Sequence, residues 1–280
     1  MIVVTGATGN VGRPLVRALA EAGEKVLAVA RTVAERDVPA GVLARRADLA
    51  DPGALAGLLE GADAVFVHDG GAAGGLDARG VVAAAGEAGV GRLVLLSSQA
   101  VATRPASASH GGTAGSLEDA VRAWGGEWTI LRPSGFATNA LAWAGSVRSE
   151  RTVRAPFGDV ALPVVDPEDV ARVAARVLGG GGHDGRVYTL TGPAAVTPRR
   201  QTEAIAAALG EPVAFVELTR EQARAAMARF MPEPVVETTL SILGEPTAEE
   251  RRVSDGVERV LGRPAGSFAD WARRNAAAFG

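Results

Sequence analysis

The chain has no cysteine among its 280 residues. That excludes a disulfide framework, a thiolate zinc site, an Fe–S cluster and a cysteine nucleophile. Its three histidines, His68, His110 and His183, stand far apart with no i,i+4 pair, so no metal centre is expected. Lysine occurs once, as Lys25, and tyrosine once, as Tyr188. Net charge is −3 and no basic block stands out, which argues against a nucleic-acid surface. Apolar windows are cut by Arg, Asp or Glu well before 18 residues, so no membrane span is expected. No secretory leader is expected before the first apolar run, and no lipidation signal is expected at the last residues. The expected location is the cytoplasm.

What is present is an ordinary globular balance, 47% hydrophobic and 22% charged. Short apolar β-branched runs alternate with helical patterns. Strands are expected at Ile2–Thr5, Lys25–Ala30, Val42–Arg45, Ala64–His68, Arg92–Ser97 and Trp128–Arg132. Helices are expected at Val11–Ala22, Pro52–Glu60, Leu76–Glu87 and Ser116–Trp124. Strands without polar alternation, separated by helices, predict an α/β chain with a Rossmann-type doubly wound parallel sheet. After about residue 150 the rhythm changes. Strands are expected near Val160–Val165 and Arg186–Thr191, and helix-start signals sit at Asp166-Pro167, Thr197-Pro198, Thr219…Gln222, Thr247…Glu250 and Ser267…Asp270. The expected organisation is a dinucleotide-binding domain over 1–153 and a smaller, mostly helical C-terminal substrate lobe over 154–280. The two interleave at the sheet edge through the strands near 160–165 and 186–191.

The segment Thr5-Gly6-Ala7-Thr8-Gly9-Asn10-Val11-Gly12 falls where the first strand meets the first helix. A helix N-terminus offers unpaired N–H groups and a partial positive charge to a pyrophosphate. Glycine at 6 permits a tight turn, at 9 a close backbone–phosphate approach, and at 12 close packing of the helix. Strand, glycine loop and amphipathic helix together predict dinucleotide binding. The second strand ends in Arg31 with no acid at its tip, which favours NADP(H) over NAD(H) through a guanidinium–phosphate fork. Asp48 either meets the adenine amino group or serves as a turn or cap residue, with Asp51-Pro52 the stronger cap.

These residues resemble the atypical short-chain dehydrogenase/reductases. The resemblance continues in Leu95-Leu96-Ser97-Ser98, in Leu131-Arg132-Pro133-Ser134-Gly135-Phe136, in Leu190-Thr191-Gly192-Pro193 and in the tail from Gly262 to Trp271. Within that superfamily the chain is similar to the NmrA-like NAD(P)H-binding branch, which includes quinone oxidoreductases and catalytically silent redox sensors. The resemblance implies that Gly6, Thr8, Gly9, Asn10, Val11 and Gly12 line the phosphates, with Arg31 on the 2′-phosphate and Asp48 facing the adenine. It places His68 and Asp69 beside a ribose. Ser97 and Ser98 would border the nicotinamide, Pro133 and Phe136 would cover its other side, and Asn139 would point into the substrate space.

One departure is decisive for mechanism. Ordinary members of the superfamily use a tyrosine four residues before a lysine, and that pair cannot exist here. In the window Pro105–Thr113 after the fifth strand, where such groups would sit, the only group titrating near neutral pH is His110. One reading is an NADPH-dependent reductase that passes hydride to a small quinone, enone or carbonyl compound, with Ser98, Asn139 or His110 supplying hydrogen bonds. A second is an NADP-sensing regulatory protein without turnover. A third is a non-redox cyclase or isomerase on the same fold. A small-molecule substrate is expected, with no nucleic acid and no membrane, and either a monomer or a homodimer is permitted. Blander readings stand beside these: His110 as a solvent-exposed loop histidine, Glu118 and Asp119 as acids at a helix start, and Trp124, Trp128 and Trp143 as core rather than cavity wall.

Overall fold

The computed structural model describes residues 1–49, 51–68, 77–107 and 112–280. Its elements run β1 (Ile2–Thr5), α1 (Gly12–Glu21), β2 (Val26–Ala30), β3 (Leu43–Arg46), α2 (Pro52–Leu59), β4 (Ala64–His68), α3 (Ala78–Glu87), β5 (Arg92–Leu96), α4 (Ala100–Thr103), α5 (Gly112–Arg122) and β6 (Glu127–Pro133). There follow α6 (Ala144–Glu150), β7 (Thr152–Pro156), α7 (Pro167–Gly179), β8 (Arg186–Leu190), α8 (Pro198–Leu209), β9 (Ala214–Leu218), α9 (Arg220–Met227), α10 (Glu233–Gly244), α11 (Gly256–Leu261) and α12 (Phe268–Arg274). Two units emerge, each assembled from three segments. The first is Met1–Pro133, Pro167–Thr189 and Gly256–Gly262; the second is Ser134–Asp166, Leu190–Asp255 and Arg263–Gly280.

The first unit carries a seven-stranded sheet in the order β3-β2-β1-β4-β5-β6-β8, and every pairing from β3 to β6 is parallel. The doubly wound α/β fold expected from the strand–helix rhythm is therefore present. Its central strands are buried on both faces, which is why they lack polar alternation. Val3, Val65, Leu93 and Ile130 pack with Leu55, Leu59, Val81, Val82, Leu117 and Val121 of α2, α3 and α5. α7 packs against α1 and against β4, β5 and β6, with Val170, Val173, Ala174 and Val177 fully buried.

The second unit differs from expectation in detail. Val160–Val165 forms no strand; it makes only isolated bridges, Phe136 with Val165 and Leu162 with Val196. Pro163 is the cause: it lacks an N–H, and around it Val164 N–H bonds Leu162 O at 3.0 Å, a tight turn that interrupts extended pairing. A two-stranded parallel sheet, β7 with β9, was not anticipated. Thr197, Thr219 and Ser267 cap their helices as expected, and Gly210 ends α8 in the left-handed conformation. Thr247 and Glu250 exchange the expected reciprocal bonds, at 2.8 and 3.2 Å, but around a turn instead of a helix. Trp143 packs on the cluster built from Ala140, Val147, Ile205, Phe268 and Trp271; Trp124 and Trp128 pack on the sheet core of the first unit. These three tryptophans are thus half-buried and flank the core clusters, whereas Trp271 is fully buried.

Among the described residues no helix is long and apolar enough to cross a membrane, and no cluster of acids and histidines is placed to hold a metal ion. The glycine-rich Gly179–Gly182 connection ends in a latch. His183 O accepts from Thr129 Oγ1 at 2.7 Å, and Asp184 accepts from the Trp128 N–H at 3.1 Å. His183 Nδ1 lies 2.9 Å from the hydroxyl of Tyr188, the single tyrosine. Burial lowers the His183 pKa, and repulsion from Arg176, Arg92 and Arg186 lowers it further. The folded imidazole therefore stays neutral where the unfolded one takes a proton, and stability is lost as pH falls through the ordinary imidazole range, about 6.5. Melting temperature followed from pH 8 to pH 5 is expected to drop in that window, and the His183→Gln variant to show a shallower drop.

Candidate functional site

The parallel register brings one set of strand ends to one edge of the sheet. Thr5 pairs with Val29, His68 with Leu96 and Leu96 with Leu131, so the residues that follow β1, β2, β4, β5 and β6 share the carboxyl edge. In doubly wound sheets this is where ligands bind. Gly6, Arg31, His68, Ser97 and Pro133 all lie along it. Asp48 follows β3 at the same edge, because Ala30 pairs with Arg46.

The glycine loop folds back on itself. Thr5 is buried and donates to Phe66 O at 2.7 Å, stitching β1 to β4. Gly6 turns the chain at φ +62°, and a Cβ there would overlap the His68 imidazole. Ala7 N–H bonds Val29 O at 3.1 Å, and Gly9 N–H closes on Gly6 O at 2.9 Å. A Cβ at Gly12 would overlap the Gly6 carbonyl and Ala7 Cα. The third glycine is therefore demanded by the loop that lies under the helix. Val11 and Gly12 are buried, while Thr8, Gly9 and Asn10 are open to solvent to differing degrees. No side chain caps α1, and its first turn holds no acid. A backbone cradle at an uncapped helix N-terminus, with side chains excluded on both sides, fits a diphosphate.

Around this cradle, Arg31 is exposed just beyond β2, and Arg13 holds Thr8 O at 3.3 Å. Asp48 is exposed and does not cap α2; Asp51 does, accepting from Gly53 N–H at 3.0 Å and Ala54 N–H at 3.2 Å. His68 sits against Gly6, at the turn that ends β1. Asp69 and His110 lie outside the described residues.

At the tips of β5 and β6 the two neighbouring serines do different things. Ser98 Oγ accepts from the N–H of Ala100, the first residue of α4, at 3.1 Å, and among the described residues no group takes its own proton. Ser97 is buried and donates to Glu118 Oε1 at 2.5 Å. Glu118 was expected near a helix start, but α5 begins earlier, at Gly112, and places it mid-helix and fully buried. Its carboxylate also accepts from Arg132 Nε at 2.8 Å, Arg132 Nη2 at 2.6 Å and Arg122 Nη2 at 2.6 Å. Burial alone pushes the Glu118 carboxyl up; the hydrogen bonds from Arg132, Ser97 and Arg122 outweigh it and hold the group below the usual carboxylate range. Breaking such a buried pair on one side costs about 3 kcal/mol. Sequence reasoning missed this cluster. The available signal was an acid on the apolar stripe formed by Ala114, Leu117 and Val121. Gln99 was also missed: it is buried and its N–H extends the ladder to Pro133 O at 3.0 Å.

Pro133 closes β6, and the chain enters the second unit at Ser134. There Phe136 is half-buried and bridged to Val165, and Asn139 is exposed in a 3-10 turn spanning Ala137–Trp143. Gly135 lies against Asn139 and Val164, since a Cβ on it would be 3.9 Å from Asn139 Nδ2 and 4.0 Å from Val164 Cγ1.

Comparison with known proteins agrees with this geometry. Residues 6–180 match the family described as NAD(P)H-binding. The chain is 41% identical over its full length, and 99% of the relative's, to a (4-alkanoyl-5-oxo-2,5-dihydrofuran-3-yl)methyl phosphate reductase of Streptomyces griseus. It is 35% identical, with 100% and 99% coverage, to an NAD(P)H azoreductase of Xenophilus azovorans. Among solved structures it is similar to an NADPH-dependent quinone oxidoreductase of Escherichia coli complexed with NADPH, at TM-score 0.83 and 25% identity over 98% of this chain and 99% of that one. Glycine cradle, strand order and full-length similarity together establish that the chain belongs to the NAD(P)H-binding family of Rossmann-fold oxidoreductases.

Proposed function

We propose that this chain is an NADPH-dependent reductase of a small electron-poor acceptor, a quinone or a conjugated enone, and that it works without a tyrosine–lysine pair. The observation that carries the reading is the uncapped glycine cradle at the carboxyl edge, with a guanidinium and no acid at the tip of the neighbouring strand. Gly6, Thr8, Gly9, Asn10, Val11 and Gly12 would hold the diphosphate, Arg31 the 2′-phosphate, and Asp48 the adenine. His68 would border the phosphate turn, and Ser97, Pro133 and Phe136 the nicotinamide.

NADPH, when bound, supplies a hydride. The relatives' names support an acceptor with an extended π system: a dihydrofuranone that carries two carbonyl groups, an azo compound and a quinone. In such acceptors the developing negative charge is delocalised, so a hydrogen-bond donor suffices where a simple ketone needs a strong acid. Ser98 fits that role because no group among the described residues takes its proton. Asn139 and His110 are the other candidates to orient the acceptor. The furanone phosphate reductase makes an acyl-substituted conjugated lactone the first acceptor to try.

Three measurements test this. NADPH oxidation is to be followed with a panel of conjugated lactones, enones and quinones; no turnover with any of them, despite NADPH binding, overturns the reductase reading. In Arg31→Ala the Kd for NADPH is expected to rise at least tenfold while that for NADH stays within about twofold, because a charge-assisted bond is worth about 1.5–3 kcal/mol. Ser98→Ala is expected to lower kcat by roughly tenfold to a hundredfold with little change in KM, as loss of an oxyanion donor does.

A further inference from the structure

After β5 come α4 and then α5, and α5 carries a buried carboxylate, Glu118. We propose that Glu118 is a positioning residue for the nicotinamide end of the site, acting through Ser97. The inference rests on the reductase reading given above.

The argument is one of hydrogen-bond capacity. A serine hydroxyl has one proton and two lone pairs. Ser97 gives its proton to Glu118 Oε1 at 2.5 Å, so its rotor is fixed and only lone pairs remain. It is thereby an acceptor, and the group it suits is an N–H donor such as a carboxamide NH2. A nicotinamide offers that group; the adenylate half of the dinucleotide, held at β1, β2 and β3, lies at the other end of the edge. Ser98, one residue on, keeps the complementary capacity and remains a donor. The pair therefore sorts two functions, acceptor for the cofactor amide and donor for the substrate oxygen, between adjacent hydroxyls.

The anchoring of Glu118 explains how the sorting is enforced. Arg132, on β6, grips both carboxylate oxygens at 2.6 and 2.8 Å, and Arg122, one turn along α5, takes Oε2 at 2.6 Å. Arg122 also reaches Asp119 at 3.6 Å, so the cluster of two guanidiniums and two carboxylates is neutral overall. All the oxygen positions facing Arg132 and Arg122 are occupied, and the carboxylate cannot rotate away from Ser97. The tips of β5 and β6 are tied to one another and to α5 through this one side chain. Glu118 touches neither substrate nor cofactor; its influence passes through Ser97.

Binding to NADPH and to 2′,5′-ADP, a fragment without the nicotinamide, separates positioning from general stability. Both are measured by calorimetry on the purified full-length chain, with the melting temperature recorded alongside. Glu118→Gln is expected to raise the Kd for NADPH about tenfold and to leave that for 2′,5′-ADP within about twofold. Ser97→Ala, which keeps the Glu118–Arg132 pair, is expected to give the same selective loss, and the double variant little more than either alone. If Glu118→Gln does not fold, Ser97→Ala decides alone. Equal loss for both ligands, additive effects, or unchanged NADPH binding in Ser97→Ala overturns the proposal. A wild-type chain that binds neither ligand overturns the reductase reading itself, a result distinct from these.

Discussion

The start of α1 passes so close over the Gly6 carbonyl that residue 12 has no room for a side chain, and the binding edge is organised around that approach. It sets the helix N-terminus directly above the end of β1. It also forces the loop to spend the Ala7 and Gly9 N–H groups on Val29 and Gly6, which fixes the turn before any ligand arrives. A preorganised cradle of this kind avoids the ordering cost that a floppy glycine loop would pay on binding. With no acid in the first turn and no capping side chain, the positive end of the helix faces outward.

Chemistry at the other end of the edge is built from hydroxyls and a buried carboxylate. Ser97 and Ser98 are neighbours in sequence but alternate in direction, as residues leaving a strand do. One bonds Glu118 of α5, and the other accepts from the N–H of Ala100, the first residue of α4. The Glu118 carboxylate stays charged in a buried place because three donors, two of them cationic, face it. Among the described residues these groups offer hydrogen bonds rather than a strong acid, which suits the proposed acceptors, whose reduced form spreads its charge.

Much of the nucleotide-binding half was legible in the sequence. β1, β4 and α2 begin where the patterns put them, because buried parallel strands read as unbroken apolar runs and because Asp51-Pro52 is a strong start signal. The glycine loop was legible for the same reason: its spacing has few physical solutions. The second unit was less so. β7 carries Arg154 and ends in Pro156, and β9 carries Glu217, so neither looks like a core strand. Val160–Val165 looks like one and is interrupted at Pro163. Glu118 was hidden by a helix boundary set four residues late, which moved a mid-helix buried acid to an apparent first turn. Long-range pairing of Glu118 with Arg132 has no local signature at all.

Each unit is stitched from three separate stretches of chain, and this bears on synthesis from the ribosome. When residue 133 has been made, six strands exist but the helix that seals one face of them does not. That helix brings Val170, Val173, Ala174 and Val177 only after the excursion through 134–166. Until then a nascent chain displays a broad greasy face with an unfinished margin where β8 belongs, the kind of surface that attracts chaperones and clumps in their absence.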